Sequence, residues 1–248
     1  MTTATLTPSA PHRIATTMRV HAANPWALVI TPALITLAVF ALNYAIWRTI
    51  IGAAGRELDE DAFDYNGGVT WIMFYLVVVA VQAMNQTFSF TVGLGSTRRD
   101  YYAGTSAIFV GLALLFGTAI ALMAGVERAT DGWGVDGHFF APGFLQTLPL
   151  WEVGIMYALA LTLMMFVGAA AGAMFVRWAA TGIIVFFGIL ATIIVGLTFG
   201  IVMLEWWRPL AEFFGARTPL QIAALSLPLT AVSALVGFLV LRRATPKG

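Results

Sequence analysis

The sequence predicts an all-α, polytopic membrane protein with six transmembrane helices. Hydrophobic residues make up 60% of its 248 residues and charged residues only 10%, whereas a soluble domain carries about 25% charged residues. This composition argues against a soluble enzyme, a nucleic-acid-binding protein and a disordered chain. The chain contains no cysteine, which excludes disulfides, cysteine-ligated zinc, iron–sulfur clusters and thiol catalysis.

Six stretches lack Asp, Glu, Lys, Arg and His, and each is long enough to cross a membrane. A hydrocarbon core about 30 Å thick needs about 20 helical residues, and helix is expected because lipid offers the backbone no hydrogen-bond partner. They define a transmembrane domain over 26–241, between an amino-terminal tail, 1–25, and a carboxyl-terminal tail, 242–248. The predicted spans are 27–47, 69–92, 103–125, 153–176, 182–203 and 220–241.

The distribution of charge predicts the orientation in the membrane. The two tails and the two short connections hold eight of the thirteen basic residues but only one of the twelve acids, Asp100. Basic loops stay in the cytoplasm. We therefore expect a multi-pass protein of the cell (plasma) membrane with both termini cytoplasmic and three longer acidic loops outside. The tail from about Arg13 to Asn24 is expected to form a short interfacial helix.

The spans contain one dense polar group and no Asp, Glu, Lys, Arg or His. Gln82, Asn85 and Gln86 lie on one face of the second span because their spacing is i, i+3, i+4. Two interpretations are open: the amides hydrogen-bond to neighbouring helices, or they line a transport path or an inner gate. No metal site and no catalytic group is predicted, since the three histidines are dispersed over a tail and a loop.

Two further features concern packing and the outer surface. Glycines four residues apart, Gly168 with Gly172 and Gly196 with Gly200, favour close helix packing, within one subunit or at a dimer seam. The aromatic segment before the last span is expected to form one or two short helices at the outer surface or dipping into it. Its marker residues are Trp206, Trp207, Pro209 and Phe213.

The loop between the second and third spans is compact, cationic and flanked by glycine. We expect Ser96 to cap a short helix that runs through Arg99 and Tyr102. Arginine binds carboxylates in a bidentate manner, so Arg98 and Arg99 suit an acidic partner surface. Two arginines here are also what the positive-inside rule alone predicts.

This region resembles a known family. The run Asn85-Gln86-Thr87-Phe88-Ser89-Phe90, followed by Gly93-Leu94-Gly95-Ser96-Thr97-Arg98-Arg99-Asp100-Tyr101-Tyr102-Ala103-Gly104-Thr105, is similar to the second-to-third-span region of ABC-2 type transporter permeases, in particular the small permease subunits of actinobacterial ABC exporters. The resemblance extends to the layout of the chain and implies a type V exporter-like fold.

The resemblance implies a function and partners. Such a subunit forms a membrane path as a dimer, with a second copy or a paralogue, and is driven by two cytoplasmic ATP-binding subunits. ATP and magnesium would bind to those partners, because this chain has no G-x-x-x-x-G-K-[ST] phosphate loop. Beyond membrane lipids no other ligand is implied, and no nucleic acid. The coupling loop would comprise Ser96, Thr97, Arg98, Arg99, Asp100 and Tyr101.

Two other classes of function remain open from the sequence. A non-transporting membrane protein, such as a scaffold, a sensor or an accessory subunit, would need no ATP-binding partner. An integral-membrane enzyme would need a polar catalytic cluster near one face, for which the three amides of the second span are the only candidate.

Overall fold

The computed structural model describes residues 9–54, 59 and 62–244, and over these ranges the chain forms helices and turns but no strand. The ends of both predicted tails, 1–8 and 245–248, lie outside the described residues. The helices are α1 (Ala10–Ala22), α2 (Thr31–Ala54), α3 (Trp71–Gly93), α4 (Arg98–Ala129), α5 (Leu150–Met203), α6 (Trp207–Gly215), α7 (Pro219–Ala224) and α8 (Ser226–Leu241).

Five of the described helical stretches are long and apolar enough to cross a membrane, as expected of a helical membrane protein. Three of these stretches begin with a shorter helical segment: a π-helical turn before α2, a 3₁₀ turn before α3, and the short helix α7 before α8. Each of the predicted first, second, third and sixth spans falls within one stretch. The predicted fourth and fifth spans both fall within α5.

Helix α5 is divided by a break at Ala179. This residue has φ 55° and ψ −145°, which is not helical. A Cβ atom on Gly182 would lie 2.5 Å from the carbonyl oxygen of Met174, although residues eight apart in a straight helix are about 12 Å apart. The chain therefore folds back on itself, which gives α5 a first limb, 150–178, and a second limb, 180–203. The connection predicted at 177–181 is helical apart from this single residue.

Glycines allow the first limb of α5 to pack closely against two neighbours. A Cβ on Gly168 would lie 2.6 Å from the carbonyl oxygen of Val77 on α3. A Cβ atom on Gly117 of α4 would lie 2.6 Å from the carbonyl oxygen of Gly154 on the first limb. The predicted close packing therefore occurs within one chain for Gly168 and its partner glycine at 172, which contacts α3 in the same way.

The second limb of α5 has few neighbours. Its large apolar side chains are exposed along its length, and added Cβ atoms at Gly196 and Gly200 would meet no other atom within 4 Å. The core lies instead among α3, α4 and the first limb. Its largest fully buried side chains include Leu76, Met84, Phe88, Phe109, Leu161 and Met165.

The two ends of the bundle differ in which segments they gather. Nη1 of Arg98 donates to the carbonyl oxygen of Arg242 at 2.8 Å, and α1 packs on the start of α4, so both described chain ends meet the α3–α4 turn at what we term the terminal end. At the opposite end, the loop end, the amide of His138 donates to the carbonyl oxygen of Phe63 at 3.3 Å.

We predict that enlarging a glycine at the α3–α5 contact destabilises the chain. Gly168→Leu should lower the free energy of unfolding by about 1–3 kcal/mol, because the added side chain overlaps the α3 backbone. Gly196→Leu is the matched control on the exposed second limb and should leave stability unchanged. Thermal unfolding in detergent measures the stability of both variants. Equal melting temperatures would contradict close packing between α3 and the first limb of α5.

Candidate functional site

The amide face of α3, defined by Gln82, Asn85 and Gln86, lies on the surface of the bundle. All three side chains are exposed, and none makes a hydrogen bond with another described residue. The same side of the helix is apolar nearer the loop end, where Phe74 and Val78 are exposed. The described chain thus supplies no interhelical partner for these amides, contrary to the interpretation that they bond to neighbouring helices of the same subunit.

The predicted coupling loop is held tightly by its own backbone. Gly95 adopts φ +88°, a conformation that glycine reaches without strain. Thr97 begins α4, because its Oγ1 accepts a hydrogen bond from the amide of Asp100 at 3.1 Å. The expectation that Ser96 caps this helix is wrong: Ser96 is buried, and the cap is one residue later. Both residue types favour this position, so the sequence alone could not distinguish them.

Two residues of the loop face inward. Asp100 is buried and accepts a hydrogen bond from Nε of Arg13 at 2.5 Å. The Tyr101 ring is also fully buried, and its hydroxyl shares a hydrogen bond of 2.9 Å with Thr87. These contacts tie α1 and α3 to the start of α4, so the two residues position the loop and do not offer surface to a partner.

The exposed side chains of the loop are those of Leu94, Thr97 and Arg99, and the two glycines beside Leu94 are exposed as well. Arg98 is half-buried and holds the end of α8 through its bond to the Arg242 carbonyl. Of the two arginines, Arg99 is therefore the exposed one, and it borders α1 beside Ala10 and Ile14.

Helix α1 is anchored on α4 through small and polar groups. Thr17 is buried where α4 has Gly104, and a Cβ on that glycine would lie 2.8 Å from the Cβ of Thr17. Nε2 of His21 shares a hydrogen bond of 2.9 Å with Oγ1 of Thr105. Burial lowers the pKa of His21 to about 4, since removal from water disfavours the charged imidazolium.

A buried carboxylate that the sequence did not single out organises the loop end. Glu127, at the end of α4, is fully buried. Its oxygens accept hydrogen bonds from the Trp133 indole at 3.0 Å and from the amides of Phe139 at 2.7 Å, Phe140 at 3.0 Å and Ala141 at 3.1 Å. Charge-assisted bonds of this kind are about twice as strong as neutral ones, so Glu127 fixes the fold of the α4–α5 connection.

His138 lies beside this carboxylate, with acids on three sides. Its ring nitrogens are 3.7 Å from Asp64, 3.7 Å from Asp136 and 3.9 Å from Glu127. In the part of the chain that the structure describes, no group of three or more His, Cys, Asp or Glu side chains has the arrangement to hold a metal ion.

Within the aromatic segment before the last span the chain forms one short helix, α6, whereas α7 lies at the start of the last apolar stretch. Trp206, Trp207, Pro209 and Phe213 are all exposed. The guanidinium of Arg217 stacks 3.4 Å above the centre of the Phe213 ring, and Thr218 and Gln221 form a capping box at the start of α7. This arrangement suits the membrane–water interface, where aromatic side chains gather.

No protein-family model matches the chain, and neither a curated protein nor a solved structure shows significant similarity to it.

We predict that α1 detaches from α4 in mild acid. Because the pKa of His21 is about 4 when buried and about 6.5 when exposed, the docked helix is fully stable above pH 6.5 and loses stability as the pH falls from 6.5 to 4. The loss is on the order of 3 kcal/mol. Melting temperature measured against pH should follow this slope.

The control for this titration lies on the same helix. His21→Gln keeps a polar side chain but cannot protonate, so its stability should vary less over this pH window than that of the unaltered chain. His12→Gln, at an exposed position, should reproduce the unaltered profile. Identical profiles for all three proteins would show that burial of His21 does not govern the docking of α1.

Proposed function

We propose that this chain is the membrane-spanning permease subunit of an ATP-driven ABC transporter, an exporter of the ABC-2 type. The observation that carries the proposal is the exposed amide face of α3. Hydrocarbon offers no partner to an amide, so three adjacent amides on the surface of a membrane helix imply that a second subunit or an aqueous path covers them. A permease dimer supplies both.

The architecture proposed for the subunit has six crossings. Helix α5 has 54 residues, about 81 Å of helix at 1.5 Å per residue, which is far longer than a hydrocarbon core of about 30 Å. Its two limbs therefore cross separately, with the break at Ala179 near the membrane surface. The terminal end faces the cytoplasm because the basic residues gather there, and the protein belongs to the plasma membrane.

Energy enters through the terminal end. A pair of ATP-binding subunits, which carry the ATP and magnesium, would contact the coupling loop at Leu94, Thr97 and Arg99. Asp100 and Tyr101 transmit force in place of making the contact, since they tie the loop to α1 and α3. Nucleotide then shifts the population between inward- and outward-open states, through its different affinity for the two.

Single cysteines test the path, because the natural chain contains none. We expect Gln82→Cys, Asn85→Cys and Gln86→Cys to react with a membrane-impermeant maleimide from the cytoplasmic side, since only a hydrated thiol forms the reactive thiolate. Leu114→Cys, exposed on α4, is the matched lipid-facing control and should stay unreactive. Equal reactivity at all four positions would mean that the amide face contacts lipid.

A charge reversal tests the coupling surface. Arg99→Glu should reduce recovery of the ATP-binding subunit with the detergent-purified chain by about tenfold, the effect of losing 1.4 kcal/mol of binding. In the recovered material, the ATP-binding subunit is identified as the protein whose sequence contains a phosphate loop. Arg208→Glu, at an exposed position on α6, should leave recovery unchanged. Full recovery with Arg99→Glu, or no ATP-binding subunit even with the natural chain, would count against the proposal.

A further inference from the structure

A cleft of about 570 Å³ opens at the loop end of the bundle, a volume within the range of small-molecule sites. It lies between the start of α3, the 3₁₀ turn Gly143–Thr147, the first limb of α5 and α7. Its walls are mostly apolar, and they include Met73, Phe144, Met156, Tyr157, Ala160 and Ala223.

Apart from the largely exposed Tyr65, the polar side chains in these walls already have hydrogen-bond partners within the protein. The Tyr157 hydroxyl donates to the carbonyl oxygen of Phe140 at 3.1 Å, and the Thr70 hydroxyl donates to that of Gly67 at 2.6 Å. Asn66 donates to Asn43 at 2.8 Å and accepts from the amide of Gly68. None of the described residues that line the cleft is Asp, Glu, Lys, Arg or His. An occupant of these described walls therefore gains chiefly from burying apolar surface.

The depth of the cleft matches one leaflet of a bilayer. Two aromatic rings of its walls are largely exposed, Tyr65 at 83% and Phe144 at 58%, as aromatic residues are at the membrane–water interface. The deepest wall residue on α5 is Ala160, ten residues after the helix begins, which is about 15 Å along the axis. Half of a hydrocarbon core of about 30 Å is the same length.

The cleft is separate from the amide face. Gln82 follows Met73 by nine residues, which is two and a half helical turns, so the two side chains leave α3 on opposite sides. The cleft and the amide face are therefore two distinct surfaces of α3.

We propose that this cleft binds the hydrocarbon chain of a membrane lipid from the leaflet at the loop end. The hydrocarbon chain fits the volume and the depth, and its lack of charge and of hydrogen-bonding groups complements walls that are mostly apolar. A bound chain packs against α3, the first limb of α5, the 3₁₀ turn and α7 together, so the site links α7 to the core.

The test uses the purified chain alone, in nanodiscs of phosphatidylcholine that include a phosphatidylcholine with a diazirine midway along one acyl chain. After irradiation, peptide mass spectrometry should find Met73 and Met156 labelled. Ala160→Phe should reduce their labelling about tenfold, since excluding even two methylene groups from burial costs enough for that loss. Ala191→Phe, exposed on the second limb, should change nothing, and labelling of that limb should stay constant in all proteins.

A substitution in a second wall of the cleft and a second probe serve as controls. Ala223→Phe fills the cleft from α7 and should act as Ala160→Phe does, even where one variant folds poorly. A diazirine-bearing disaccharide should not label the cleft. Labelling of Met73 and Met156 that survives both substitutions, or that the disaccharide matches, would overturn the proposal. Because no ATP-binding subunit is present, neither result depends on the transport function.

Discussion

The scarcity of hydrogen-bond partners in hydrocarbon determines how this chain uses its polar residues. At each end of α4 a buried acid is satisfied by groups of the same chain: Asp100 by Arg13 and by the amide cap at Thr97, and Glu127 by an indole and three backbone amides. Each acid thereby attaches a neighbouring segment to α4. By contrast, the exposed amide side chains of α3 make no hydrogen bond with another described residue.

The apolar residues divide the molecule in a similar way. Small residues bring α3, α4 and the first limb of α5 into backbone contact, which gives a core with few degrees of freedom. The second limb and α6 contribute little to that core, since their large side chains are exposed. Because lipid is as apolar as leucine, exposed apolar helices are stable in a membrane without protein neighbours.

The sequence was sufficient to predict the long apolar helical stretches, because the length that an uncharged run needs to cross a membrane depends only on bilayer thickness. It could not predict the break in α5. Alanine is the best helix former, and nothing in its type indicates φ 55° at Ala179. Likewise, the direction in which each loop residue points depends on packing against neighbouring helices such as α1. The resemblance therefore implied that Asp100 and Tyr101 contact a partner, whereas both are buried in the structure.

Glu127 shows most clearly why part of the site could not be read from the sequence. Its donors come from residues six to fourteen positions later, and they converge only because Asp131, Gly132, Trp133 and Gly134 all take positive φ. Three of the bonds come from backbone amides, which carry no residue-type signal. From the sequence, an acid just after a span is expected to lie in an acidic outer loop. In the structure Glu127 is instead fully buried and holds the α4–α5 connection in place. The same reasoning applies to the cleft beside it, whose wall residue Tyr157 donates its hydroxyl to the carbonyl of Phe140, within the segment that Glu127 fixes.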